Sequence, residues 1–123
     1  MANRIEPVIG YLIGVYVLFG SKLTAAVKPG AVVNSVPEME YARRVVADVF
    51  NRNSYQLTIT SGIDGTHAAT SLHYSGRAED YRTRDVHPLD LPRMVAEIRS
   101  ILGSAYDVIL ESDHLHVEYD PTF

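Results

Sequence analysis

A chain of 123 residues has room for one domain with a core large enough to fold unaided. It has no cysteine, so disulfides and thiolate metal sites are excluded and histidine and carboxylate remain as the good metal ligands. A formal charge of −4, with basic residues scattered rather than clustered, argues against a nucleic-acid partner.

The first element is an uncharged apolar run, Val8 to Phe19, between Arg4 and Lys22. Three readings fit it. It is shorter than the roughly 20 residues that a spanning helix needs, but it suits a signal-peptide core followed by small residues at Thr24-Ala25-Ala26. Its Val, Ile and Tyr content also suits a buried strand or a segment docked on a membrane or virion partner. A helix packed on the domain is the third reading, and the Gly10/Gly14 spacing adds little in so short a run. Residues 23–36, with Pro29-Gly30 and Asn34-Ser35, read as a connection, which divides the chain into an apolar N-terminal segment and connection (1–35) and a main domain (36–123).

A helix is predicted from Pro37 to about Asn51, capped by Asn34 or Ser35, with Glu38 and Glu40 near its positive end. Met39, Ala42, Val46, Val49 and Phe50 form its apolar stripe, and Arg43-Arg44 read as a solvated face. Tyr55–Thr60 alternates as a strand before Ser61-Gly62-Ile63-Asp64-Gly65 breaks it. A second helix spans Leu89 to Leu102, with Leu91, Met94, Val95, Ile98, Ile101 and Leu102 on one face and Gly103 as its stop. Two strands follow, Ala105–Glu111 and His114–Tyr119, joined by a turn at Ser112-Asp113. The order of elements implies an α+β domain with a small, largely antiparallel sheet flanked by helices.

The chemistry concentrates between residues 67 and 116. His73 precedes Asp80 by seven positions with Gly76 free to turn the chain between them, and both side chains can meet one ion. His114 and His116 are two apart, so a strand presents both on one face while Leu115 points to the core. Two histidines and an aspartate are what a catalytic zinc needs, since three N/O ligands leave a fourth position for water. Glu111 lies close enough in sequence to serve as general base. Asp113 reads as a turn residue, His87 as a loop histidine, and Tyr74 and Tyr81 as packing residues or the lining of a peptide groove. Arg82 and Arg84 are either exposed or bind a substrate carboxylate.

Two motifs, Ser71-x-His73-x-x-Gly76-x-Ala78-x-Asp80 and Glu111-x-x-His114-x-His116, resemble those of the zinc D,D-peptidases. That family includes D-alanyl-D-alanine carboxypeptidases and phage endolysin peptidases, and hedgehog domains share its metal site. Ile59-Thr60-Ser61-Gly62 is similar to the segment before the family's first ligand, so the resemblance covers residues 57–120. It implies the zinc D,D-peptidase fold, a Zn2+ site from His73, Asp80 and a late histidine, and hydrolysis of peptidoglycan stem or cross-link peptides. It also implies a cell-envelope, secreted or virion-associated setting. His116 is the favoured late ligand, by resemblance to the His-x-His form, with His114 stabilising the oxyanion; the reverse assignment stays open. Ile63-Asp64 stand where the family often has a substrate-gripping arginine, and His67 or Arg77 is the candidate to replace it, with Arg82 a separate candidate substrate contact. Glu79 stands where an apolar residue is usual, and strand alternation turns it away from the metal. A non-catalytic, metal-containing wall-binding or phage-particle component is the rival reading.

Overall fold

The computed structural model describes residues 5–7, 15–18 and 23–121. It is an α+β arrangement in which one mixed sheet has the order β1-β2-β3-β4-β5-β7-β6. The strands are β1 (Ile5–Pro7), β2 (Val15–Leu18), β3 (Thr24–Val27), β4 (Leu57–Ser61), β5 (Ala78–Arg82), β6 (Tyr106–Leu110) and β7 (His114–Tyr119). Helices α1 (Pro37–Arg52) and α2 (Leu91–Leu102) pack on each other, α1 against β3, β4 and β7 and α2 against β6. Five strands, β3 to β7, carry the core and the candidate site.

Alternation assigns the two faces. Leu57 and Ile59 of β4, Glu79 and Tyr81 of β5, Leu115 and Val117 of β7 and Val108 of β6 are all buried beneath the helices. Their neighbours Asp80, Arg82, His114 and His116 project from the other face, with Asp80 opposite His116 and Arg82 opposite His114 across the β5–β7 ladder. The register between β4 and β5 shifts between Ile59 and Ser61, so that a β-bulge falls beside Asp80.

The sheet is largely antiparallel as expected, with one parallel pair, β3 and β4, for which α1 is the crossover. Four expectations need correcting. Residues 23–36 are more than a connection: Thr24–Val27 is a strand, and Ala25 is fully buried, small enough to sit beneath α1. Arg43 is not solvated but 1% exposed, held by Glu79. The cap of α1 is Val36, with no side-chain cap bond, because the Ser35 hydroxyl donates instead to Glu79 Oε2 at 2.5 Å. Pro37 does take the first turn. Of the expected α2 face, Met94, Val95, Ile98 and Leu102 are buried, whereas Ile101 is exposed. Within the apolar run, Val15–Leu18 is β2, paired with β1 and β3, while Val8–Gly14 lies outside the described residues. Among the described residues no helix is long and apolar enough to cross a membrane.

The Arg43–Glu79 pair ties α1 to β5. Arg43 Nε donates to Glu79 Oε1 at 3.0 Å, its Nη2 to Oε2, and the Tyr81 hydroxyl donates to Oε1 at 2.8 Å. Removing one partner leaves an uncompensated buried charge, so Arg43→Met is expected to destabilise the protein by about 3–5 kcal/mol. The double variant Arg43→Met/Glu79→Leu should recover much of that loss, as read by urea unfolding; equal losses in both would mean that the pairing is not what matters.

Candidate metal centre

The motif residues converge from three elements. A single 3-10 turn, Leu72–Ser75, carries His73, started by Ser71 Oγ, which accepts from His73 N at 3.2 Å, and ended by Gly76 in the left-handed region at φ 72°. β5 carries Asp80, and β7 carries His114 and His116. Two glycines let the loops close on residues 32–35. A Cβ on Gly62 would come within 2.1 Å of the Val32 carbonyl oxygen, and one on Gly76 within 2.4 Å of that of Asn34. Asp64 reinforces this packing by accepting from the backbone N–H groups of Val32 and Gly62, each at 2.8 Å.

His73, Asp80 and His116 form a group whose ligand atoms all lie within 4.8 Å of one another. Asp80 Oδ1 is 3.3 Å from His73 Nε2 and 2.8 Å from His116 Nδ1. Ligands around a tetrahedral zinc sit roughly 3.4 Å apart, given bonds of about 2.1 Å, so the set is near the required size. The far nitrogens are already engaged. His73 Nδ1 meets the Gly62 carbonyl at 2.8 Å and His116 Nε2 meets Glu118 Oε1 at 2.7 Å. Outer acceptors of this kind hold the ring and its tautomer so that the inner nitrogen faces the ion. The donor set therefore fits a divalent cation such as Zn2+.

Charge in the cluster is mutually arranged. Burial raises the Asp80 pKa, but hydrogen bonds from His116 and His73 outweigh it and hold the carboxyl well below the usual range. Burial lowers the His116 pKa, yet Asp80 and Glu118 together push it up to about 8, and Asp80 also raises His73 above its ordinary value.

The other sequence candidates distribute as follows. His114 lies beside the cluster, its Nε2 3.6 Å from Asp80 Oδ1 and its Nδ1 2.6 Å from Asp113 Oδ1. His67 stacks on His73 with ring centroids 4.0 Å apart, and its Nε2 meets the Asp64 carbonyl at 2.9 Å. It supports a ligand from behind. Arg82 is on the site face, whereas Arg77 extends over the Tyr119 ring at 5.5 Å, away from the cluster. Glu111 is exposed at the end of the β6–β7 hairpin, its N–H bonded to the His114 carbonyl. Tyr81 is fully buried, and half-exposed Tyr74 uses its hydroxyl to hold the His67 backbone. His87 lies exposed in a loop. Asp113 and Glu118 did not stand out from the sequence as functional. Glu118 could have been found, since it is two residues beyond His116 and so shares its face of β7.

No family model matches the chain, and no curated protein matches it.

Alanine at His73, Asp80 or His116 is expected to abolish zinc binding in calorimetry, whereas His114→Ala retains it. Glu118→Ala should weaken zinc about 10- to 100-fold, the usual cost of losing an outer partner. Because Asp80 and Glu118 push the His116 pKa up to about 8, that metal-free ring is protonated near neutrality, and zinc uptake must release its proton. Affinity should therefore climb as pH rises toward 8 and level off above it. Calorimetry in buffers of different ionisation enthalpy counts the protons; no release at pH 7 would contradict this account.

Proposed function

We propose that this chain is a zinc-dependent peptidase that hydrolyses peptidoglycan stem or cross-link peptides. The observation that carries the reading is the convergence of His73 Nε2, Asp80 Oδ1 and His116 Nδ1, with outer acceptors on both rings, at the positions of the two motifs. The finer assignment of the α+β sheet to the zinc D,D-peptidase fold rests on the same motifs. A divalent ion held there would supply Lewis acidity, polarising a peptide carbonyl and activating water near neutral pH.

The chain's own residues account for the remaining chemistry. Asp113, an acceptor when ionised, orients the His114 ring through Nδ1, so that Nε2 faces the cluster. His114 is thereby placed to steady a developing oxyanion or to hand on a proton. Two carboxylates compete for the role of base. Asp113 lines the groove that Asp80 and His114 also line, and Glu111 does not, so the geometry favours Asp113 over Glu111. A site with a groove open beside the cluster fits turnover better than a wall-binding role alone.

Incubation of purified muropeptides with the protein, with and without chelator, followed by mass spectrometry, tests the function. The expected result is chelator-sensitive loss of mass at a peptide bond; zinc-dependent adsorption to wall without any cleavage would instead indicate a binding module. Asp113→Asn should lower kcat by about 10²- to 10⁴-fold, the usual range for general acid–base groups, with zinc content unchanged. Glu111→Gln should stay close to the parent, and the opposite pattern would return the base to Glu111.

A further inference from the structure

β6 is an outer strand of the sheet, with β7 on one side and no described strand on the other. The register of the β6–β7 ladder fixes which of its backbone groups face that open side. Glu111 N bonds the carbonyl of His114, the residue opposite it, and Asp120 N bonds that of Ala105, so positions 105 and 111 belong to bonded pairs. Bonded and non-bonded pairs alternate along an antiparallel ladder. Asp107 and Ile109 are therefore bonded to β7, while Tyr106, Val108 and Leu110 turn their N–H and C=O groups outward.

The central outward group is taken. Arg99, an exposed residue in the last turn of α2, donates to the Val108 carbonyl from Nε at 3.0 Å and from Nη2 at 2.8 Å. Arg43, Arg52 and Arg93 pair with carboxylates, and the chain has 15 acidic side chains, yet this guanidinium is committed to a backbone oxygen.

Without that contact the edge would complement itself. About a two-fold axis at Val108, β6 meets a second β6 antiparallel, with Val108 opposite Val108 and Tyr106 opposite Leu110. The outward groups of the two strands then face one another. Asp107 falls opposite the partner's Ile109 rather than a second aspartate, so no like charges oppose. Ile109 and Leu110, 42% and 40% exposed, would both gain cover. The central pair of bonds, however, needs the carbonyl that Arg99 holds, and the two guanidinium groups would be brought close together.

We propose that Arg99 guards this edge, and that the partner it turns away is the β6 strand of a second copy of the chain. An unpaired strand edge is a template for association, and a cation placed on it opposes that. The inference concerns neither the metal nor the reaction, so it stands apart from the peptidase reading.

Sedimentation equilibrium over a range of concentrations compares the full-length protein with Arg99→Ala, while NMR reads hydrogen exchange of the β6 amides. Freed of one charge-assisted contact per copy, at about tenfold each, the variant should self-associate about a hundredfold more strongly than the parent. The Val108 and Leu110 N–H groups, open to exchange in the parent, should become protected as the variant associates. Arg99→Ala/Leu110→Pro should return to the association of the parent, since proline removes an outward N–H and leaves the β7 ladder intact. Arg99→Gln keeps an amide donor without the charge; it should fall between, and it carries the comparison if Arg99→Ala does not fold. Equal association of parent and variant, equal protection of Val108 and Leu110 in both, or association that persists in a folded double variant overturns the inference.

Discussion

The salt bridge between Arg43 and Glu79, buried on both sides, is the contact from which the rest of the architecture follows. It joins α1 to β5 through a carboxylate that also accepts from Ser35 and Tyr81, so each oxygen of Glu79 has two donors. Such satisfaction is what makes an ion pair tolerable in the interior, where desolvation alone costs several kcal/mol per ion. The consequence for the site is directional. Strand alternation means that fixing Glu79 beneath the helix fixes Asp80 on the opposite face, pointing at the histidines of β7. An apolar residue at position 79 would seat the strand as well, but it would not tether Ser35 and, with it, the segment that packs on Gly62 and Gly76.

Rigidity at the cluster comes from the backbone around it more than from the ligands. Gly62 serves twice: its carbonyl receives His73 Nδ1, and its missing Cβ lets residue 32 approach. His67 stacks on the far side of the His73 ring and is itself held by Asp64, Ser61 and Tyr74. A loop of this length without regular structure is positioned by such contacts, and the 3-10 turn it leads into needs only Ser71 and Gly76 at its ends.

Much of this was legible in the residues. The motif spacings worked because a turn and a strand translate sequence separation directly into direction, and both helices declared themselves by apolar stripes, starts and stops. What escaped has a common cause. β3 is Thr-Ala-Ala-Val, whose small residues give no alternation to read, and its place in the sheet depends on a parallel neighbour 32 residues on. Arg43 looked solvated because its partner lies 36 residues on in another element. Asp113 read as a turn residue because nothing in the sequence announces that its carboxylate meets the neighbouring His114 ring. Arg77 is different: one residue before β5, it lies over the Tyr119 ring, a contact that no sequence spacing announces.

The placing of β5 next to β7, with α2 and β6 folded outside that pair, has a consequence for how the protein is made. Asp80 and His116 are 36 positions apart and meet only once the intervening hairpin and helix have been set aside. An ion that engages both can be retained only by chains that have completed this closure. Such an ion would stabilise only the completed fold, by a free energy that grows with the logarithm of its free concentration once that exceeds the dissociation constant. The supply of metal during synthesis would then govern how much protein accumulates, before any reaction takes place.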